Sequence, residues 1–176
     1  MLTGGVSVIV NNRAPHRVIP LNTNVQAIAV SVTLQREITF CSIYLPPNTN
    51  LVPNELDTLI QQLPALFVLL GDFNAHNILW GSSHISDRGK KVEDFIIRHD
   101  LCLYNTKSPT YLHPGTGTYI CIDLTMCSTP ILLELSVCSL QVRIFCSINN
   151  PLRLKIYVVN MYLQYSCKFS FSTFIM

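Results

Sequence analysis

Charge is scarce in this chain. Only 12% of its 176 residues are Asp, Glu, Lys or Arg, and the mean hydropathy is +0.35, which excludes an intrinsically disordered polymer. Long apolar runs are missing as well. No window reaches the roughly eighteen residues that a membrane helix needs, because Glu134, Gln141 and Arg143 interrupt the most apolar part of the tail. The opening Met1-Leu2-Thr3-Gly4-Gly5 has no basic stretch followed by an apolar core, so no secretory signal is expected. The seven cysteines (41, 102, 121, 127, 138, 146 and 167) contain no C-x-x-C pair and are not joined by histidines at zinc-finger spacing. That argues against a disulfide framework and a structural zinc site, and for small reduced core residues in an intracellular protein.

A basic surplus is also absent where it would matter. Residues 1–130 hold eight Lys and Arg against nine Asp and Glu, a net of −1, while residues 131–176 hold four against one, a net of +3. The first part therefore carries no electrostatic footprint for strong non-specific DNA binding. No internal repeat or low-complexity tract occurs, and the length suits one domain with a sizeable core.

What is present is sharpest at Gly71-Asp72-Phe73-Asn74-Ala75-His76, which ends the apolar run Leu66-Phe67-Val68-Leu69-Leu70. Five apolar residues suit a strand buried on both faces and are too few for an independent helix. On extended backbone Asp72 and Asn74 would point to one side and Phe73 to the core. Such a pair offers a carboxylate able to bind Mg²⁺ or orient water, and a carboxamide able to hold a phosphate oxygen. An Asx-rich turn after a strand accounts for the same residues.

Around this stretch, residues 1–130 alternate between strand and helix patterns. Val6–Val10 follows Gly4-Gly5, and Val25–Leu34 and Ile38–Leu45 form a hairpin through Gln35-Arg36-Glu37. Asn54 is expected to cap a helix running to Leu63, with Asp57 in its first turn and Leu56, Leu59, Ile60 and Leu63 on one face. Asn77 to Gly89 reads as a loop anchored by Trp80, followed by a helix over Lys90–His99 with Val92, Phe95 and Ile96 facing inward. Strands are expected at Leu101–Tyr104 and, as a pair, around Tyr119–Met126. The fold class is α/β with sheet outnumbering helix. Residues 131–176 contain no glycine, one proline and no clear period, so no element is assigned there and 130 is taken as the boundary of a divergent tail.

Four segments line up in order: Ile43-Tyr44-Leu45-Pro46-Pro47, then Gly71 to His76 with Trp80-Gly81, Arg88-Gly89-Lys90, and Ile122-Asp123-Leu124 with Cys127-Ser128. Together they resemble the endonuclease/exonuclease/phosphatase superfamily, and Asn74-Ala75-His76 with Trp80-Gly81 narrows this to endonuclease domains of non-LTR retrotransposons. Leu103-Tyr104-Asn105 and Ser108-Pro109-Thr110-Tyr111 are similar to the matching stretches of that branch. The resemblance covers about Gly4 to Pro130. It implies an incomplete β-sandwich flanked by helices.

It also implies a phosphodiester hydrolase with Mg²⁺ as cofactor and DNA as partner, without a small-molecule cofactor and without a membrane, acting inside the cell and in the nucleus. By the same resemblance Tyr44 lies near the scissile phosphate, Asp72 binds metal and orients or deprotonates the attacking water, and Asn74 holds the phosphate. Asp123 would hydrogen-bond a histidine, and His76 and Trp80 are candidate DNA contacts, each with a loop-stabilising role as its counterpart. Arg88, Lys90 and Lys91 read as phosphate contacts or as solubilising charge at a helix start. Two family features have no match: a metal-binding glutamate ahead of the Gly-Gly strand, since no Glu precedes Glu37, and a closing Ser-Asp-His triplet, since no histidine follows His113 and Ser86-Asp87-Arg88 comes too early. The expectation is a partial domain, inactive or weakly active. A non-catalytic nucleic-acid-binding remnant and a phosphatase of the same superfamily are the alternatives.

Overall fold

The computed structural model describes residues 5–10, 14–33, 36–105, 107, 109–112, 115–130, 138–146, 155–163 and 168–175, the last three stretches as strand course and pairing. Gly4, Leu34, Gln35, Ser108 and His113, named in the sequence analysis, lie outside the described residues.

The hairpin and the buried strand form the framework. β1 (Val6–Ile9), β2 (His16–Ile19), β3 (Gln26–Thr33) and β4 (Glu37–Tyr44) precede α1 (Pro53–Gln61) and β5 (Phe67–Asp72). A short 3₁₀ turn (Ile78–Trp80), α2 (Asp87–Arg98), β6 (Leu101–Leu103), β7 (Tyr111–Leu112), β8 (Tyr119–Ile120) and β9 (Asp123–Ser128) follow. β3 and β4 pair antiparallel, β4 and β5 parallel through the α1 crossover, and β9 returns antiparallel between β5 and β6. The result is a six-stranded mixed sheet in the order β2-β3-β4-β5-β9-β6. All six residues of β5 are buried, as its uninterrupted apolar run requires.

Alternation sorts the core into two layers. One face of the sheet buries Cys41, Ile43, Leu69, Leu124 and Met126 against Leu56, Leu59, Val92, Phe95 and Ile96 of the two helices. The other face gathers Val30, Val32, Phe40, Val68, Leu70 and Cys127, and Val6, Val8 and Val10 of the β1 segment pack on it. β1 belongs to a second, four-stranded antiparallel sheet, so the architecture is a sandwich with helices outside one sheet.

The sheets include strands that the sequence pattern did not yield. β10 (Cys138–Cys146), β11 (Lys155–Leu163) and β12 (Lys168–Ile175) complete the four-stranded sheet in the order β1-β12-β11-β10, where no element was assigned. β2 was missed too, being four residues at an edge with three of them exposed. The helix starts shift as well. α1 begins at Pro53 after Val52, not with Asn54 as cap, because proline's fixed φ suits the first helical position. α2 begins three residues before Lys90, because the Ser86 hydroxyl accepts a hydrogen bond from the Gly89 N–H at 3.0 Å. Asp57 serves as a staple between helices, accepting from Arg98 Nη2 at 2.8 Å and lying 2.7 Å from His99 Nε2.

Cys41, Cys121 and Cys127 are buried, Cys102 is half-buried, and all four are free thiols. Burial pushes Cys41 up to about 12 and Cys127 to about 11, so both stay protonated, inert core groups. No helix among the described residues is long and apolar enough to cross a membrane.

Candidate active site at the end of β4, β5 and β9

Three strands deliver three side chains to one row. Tyr44 is the parallel register partner of Asp72, and Asp72 is the antiparallel partner of Asp123. Register partners share a face, so the phenol and both carboxylates project from the sheet face opposite the helices. The close approach of β4 and β5 depends on Gly71. At its φ of 152° an added Cβ would lie 1.8 Å from the Ile43 carbonyl oxygen.

Beyond Asp72 the chain stops being a strand. The Asp72 carboxylate accepts from the Asn74 backbone N–H at 2.9 Å, and Asn74 takes a φ of 46°. The expected extended geometry therefore does not hold here, because this Asx turn folds Asn74 back over the strand end. Its carboxamide Nδ2 donates to the Leu45 carbonyl at 3.0 Å, so Asn74 still reaches the Tyr44 side of the row. Leu45 N–H in turn donates to the Asp72 carbonyl at 2.9 Å, and Phe73 N–H donates to the Ile122 carbonyl at 2.9 Å. These two bonds tie the exit of β5 to both neighbouring strands.

Asp123 is fully buried and Asp72 is 5% exposed, while Tyr44 and Asn74 are half-buried. Burying carboxylates is costly without partners, and the segments around Asp123 hold its backbone closely. The Thr110 hydroxyl accepts the N–H groups of Ile122 (3.2 Å) and Asp123 (3.1 Å). Asn105 donates Nδ2 to the Asp123 carbonyl at 2.9 Å and accepts the Thr125 N–H at 2.9 Å. Neither residue was singled out for its chemistry; both lie in the two segments noted only as similar to the retrotransposon branch.

Arg88, read in the sequence as a phosphate contact or solubilising charge, is held by backbone carbonyls of the site's own segments. Its Nη1 donates to the carbonyls of Leu45 (3.3 Å) and Phe73 (3.4 Å), and its Nη2 to those of Pro46 (2.8 Å), Pro47 (3.3 Å) and Thr49. The side chain is half-buried, not a freely solvated charge. Burial draws its proton affinity down, and the nearby Asp72 and Tyr44 oppose that shift. The guanidinium remains a cation in such a setting.

His76 sits at the neck of the following loop. Its N–H donates to the Ser86 hydroxyl at 3.2 Å, and its carbonyl accepts the Ser86 N–H at 3.0 Å. The ring stacks on His84 at 4.7 Å with an interplanar angle of 24°. Burial, with the His84 charge adding to it, lowers the His76 pKa, which favours the neutral ring at neutral pH. Trp80 is fully buried and donates its indole N–H to the Ala75 carbonyl at 3.0 Å. It anchors the loop from within the core, the loop-stabilising one of the two roles weighed for it. Ser86-Asp87-Arg88 is the cap and first turn of α2.

The donors in the row are hard oxygens, the kind Mg²⁺ takes, and that ion commonly uses one or two carboxylates plus substrate phosphate. Asp72 beside Asp123 fits that pattern. Among the described residues no group of three or more acidic, His or Cys side chains is arranged to hold a metal ion.

A row of Tyr, Asp and Asp thus lies at one end of a helix-flanked sandwich, and comparison with known proteins adds the family. Residues 38–147 match the family described as Endonuclease-reverse transcriptase, and the chain belongs to it. The RNA-directed DNA polymerase from mobile element jockey of Drosophila funebris is 31% identical over 111 residues, and that of Drosophila melanogaster 30% over 112. Each alignment takes in 61% of this chain, which spans 12% of the length of these curated relatives. The endonuclease domain of TRAS1, a telomere-specific non-LTR retrotransposon, superposes with a TM-score of 0.66 at 18% identity, over 97% of this chain and 79% of that one. That likeness shows the fold. The chain is thus an endonuclease-like member of that family, in the fold of the TRAS1 domain.

Proposed function

We propose that this domain hydrolyses a phosphodiester bond of DNA at the Tyr44–Asp72–Asp123 row, with Mg²⁺ as its cofactor and with low intrinsic activity in these 176 residues. The observation that carries the proposal is the row itself: positions 44, 72 and 123, far apart in sequence, are register partners on three adjacent strands. In this reading Asp72 holds the metal and orients the attacking water, accepting its proton as general base. Asn74 holds a non-bridging phosphate oxygen, and Tyr44 donates to the phosphate from the adjoining strand. Asp123, the register partner of Asp72, acts as the second carboxylate beside it. When bound, Mg²⁺ supplies neutralisation of the charge developing on the phosphate oxygens.

His76 is the DNA contact in this proposal, at the neck of the loop that leaves the site. The chemistry falls within residues 1–130, and β10, β11 and β12 of the divergent segment complete the second sheet. The substrate sets the place of action inside the cell, in the nucleus. Low activity follows from the thin donor set, two carboxylates where no third ionisable ligand clusters among the described residues. Supercoiled plasmid incubated with Mg²⁺ should be nicked slowly, and both EDTA and Asp72→Ala should abolish the nicking. Nicking that persists in Asp72→Ala would refute the site. The same thin donor set favours a second reading, a remnant that binds nucleic acid without cutting it, and DNA retention by wild type with no nicking at any Mg²⁺ concentration would select it.

A further inference from the structure

The start of α2 converges on the site from outside the sheet. Arg88 grips the carbonyls of Leu45 and Phe73, the residues that immediately follow Tyr44 and Asp72, and with its second nitrogen the Pro46, Pro47 and Thr49 carbonyls. The Leu45 carbonyl also accepts from the Asn74 carboxamide. One side chain thus spans the exits of β4 and β5 and shares an acceptor with the phosphate-holding amide. The residues around it add to this convergence. Lys91 donates to the Leu51 carbonyl at 2.9 Å and to Asn50 at 3.0 Å farther along the same loop. A Cβ at Gly89 would lie 1.9 Å from the His76 carbonyl oxygen, so the helix start is pressed against the loop that leaves the site.

From this geometry we infer that Arg88 is a positioning residue for the hydrolysis, a clasp that fixes Tyr44 and Asn74 relative to Asp72. The inference rests on the endonuclease reading. A guanidinium presents five N–H donors in one plane and can serve several carbonyls from two loops at once. An ammonium is a single centre and cannot span them. Catalysis is sensitive to such placement, since a shift on the order of 1 Å in the reacting groups costs about a hundredfold.

The test compares wild type with Arg88→Ala, Arg88→Lys and Arg17→Ala by plasmid nicking, thermal melting and amide NMR. Arg88→Ala and Arg88→Lys should both lower kcat by at least about tenfold with KM little changed, and guanidinium at sub-denaturing concentration should restore part of the loss in Arg88→Ala. Arg17→Ala removes an exposed arginine paired with Glu37 at the other end of β4, and its kcat should stay near wild type. The Asn74 side-chain amide and the Leu45 and Phe73 backbone amides should shift in both Arg88 variants and remain in place in Arg17→Ala. If Arg88→Ala does not fold, Arg88→Lys carries the same comparison. Wild-type kcat in Arg88→Lys, or unmoved Asn74, Leu45 and Phe73 resonances, would overturn the clasp and leave the endonuclease reading intact. A wild type that never nicks, with resonances that do respond, would overturn the endonuclease reading, and the positioning role with it, while showing that the contacts exist.

Discussion

The two faces of β4, β5 and β9 are built from alternate residues of the same strands and have been put to different uses. On the helix side Cys41, Ile43, Leu69, Leu124 and Met126 are all fully buried, and the one hydroxyl pair there, Ser31 and Thr39, is bonded at 2.6 Å. On the opposite side the apolar set Phe40, Val68 and Cys127 gives way, two residues along, to Ser42, Leu70 and Thr125, and then to Tyr44, Asp72 and Asp123. The buried Ser42 Oγ and Thr125 Oγ1 have no hydrogen-bond partner among the described residues. Polarity therefore rises along one face toward one end, while the polar groups of the other face are the bonded hydroxyls of Ser31 and Thr39 set among apolar residues. The helix-facing side supplies the burial energy that lets its reverse carry polar groups where oil-like packing would be more stable.

Gly71 lies where the two uses meet, and its replacement should have the largest effect. Gly71→Ala puts a Cβ 1.8 Å from a backbone oxygen at a φ of 152°, so one strand must move. A loss of about 5 kcal/mol, near the whole stability of a domain, is expected in urea unfolding. A loss under about 1 kcal/mol would mean that β4 and β5 part easily and that the row is not rigidly held. Leu69→Ala probes the helix side alone and should cost about 3 kcal/mol by the same measurement. Thr125→Val should have the opposite sign. It removes an unsatisfied buried hydroxyl at nearly constant volume and should raise stability by about 1 kcal/mol. Destabilisation by valine would show that the hydroxyl has a partner such as ordered water, and the contrast between the faces would weaken.

The legibility of these features in the sequence follows the same division. Features set by local pattern could be read: the uninterrupted β5, the β3–β4 hairpin, and the inward faces Leu56/Leu59/Ile60 and Val92/Phe95/Ile96 all lie where apolar spacing puts them. Asp72 and Asn74 were recognisable as a pair, but the αL turn was not, because it comes from a bond between the Asp72 side chain and the Asn74 N–H. Strands β10 to β12 escaped because residues 131–176 carry no clear period to mark strand ends, and their pairing with one another and with β1 is a long-range choice. Arg88 was noticed as a charge at a helix start, but its partners were illegible for a third reason: they are backbone carbonyls from residues about fifteen and forty positions away, and carbonyls have no letter in a sequence.

The smallest effect expected lies outside both faces, in the staple that holds α1 to α2 over the helix side. Burial at Asp57 opposes ionisation, but the hydrogen bonds from Arg98 and His99 outweigh it and lower its pKa. A lowered folded-state pKa means the folded chain holds this proton less tightly than the unfolded chain does. The stabilisation is then complete above the unfolded value of about 3.9 and is lost as pH falls through the folded value. The side chain keeps 22% of its surface exposed and Arg98 keeps 44%, so solvent screening holds the worth of the staple under about 1 kcal/mol. Asp57→Asn should therefore be slightly less stable than wild type at pH 7, and the gap should close as both are acidified below about pH 4. A gap unchanged between pH 7 and pH 3 would mean that the staple acts through packing and not through charge.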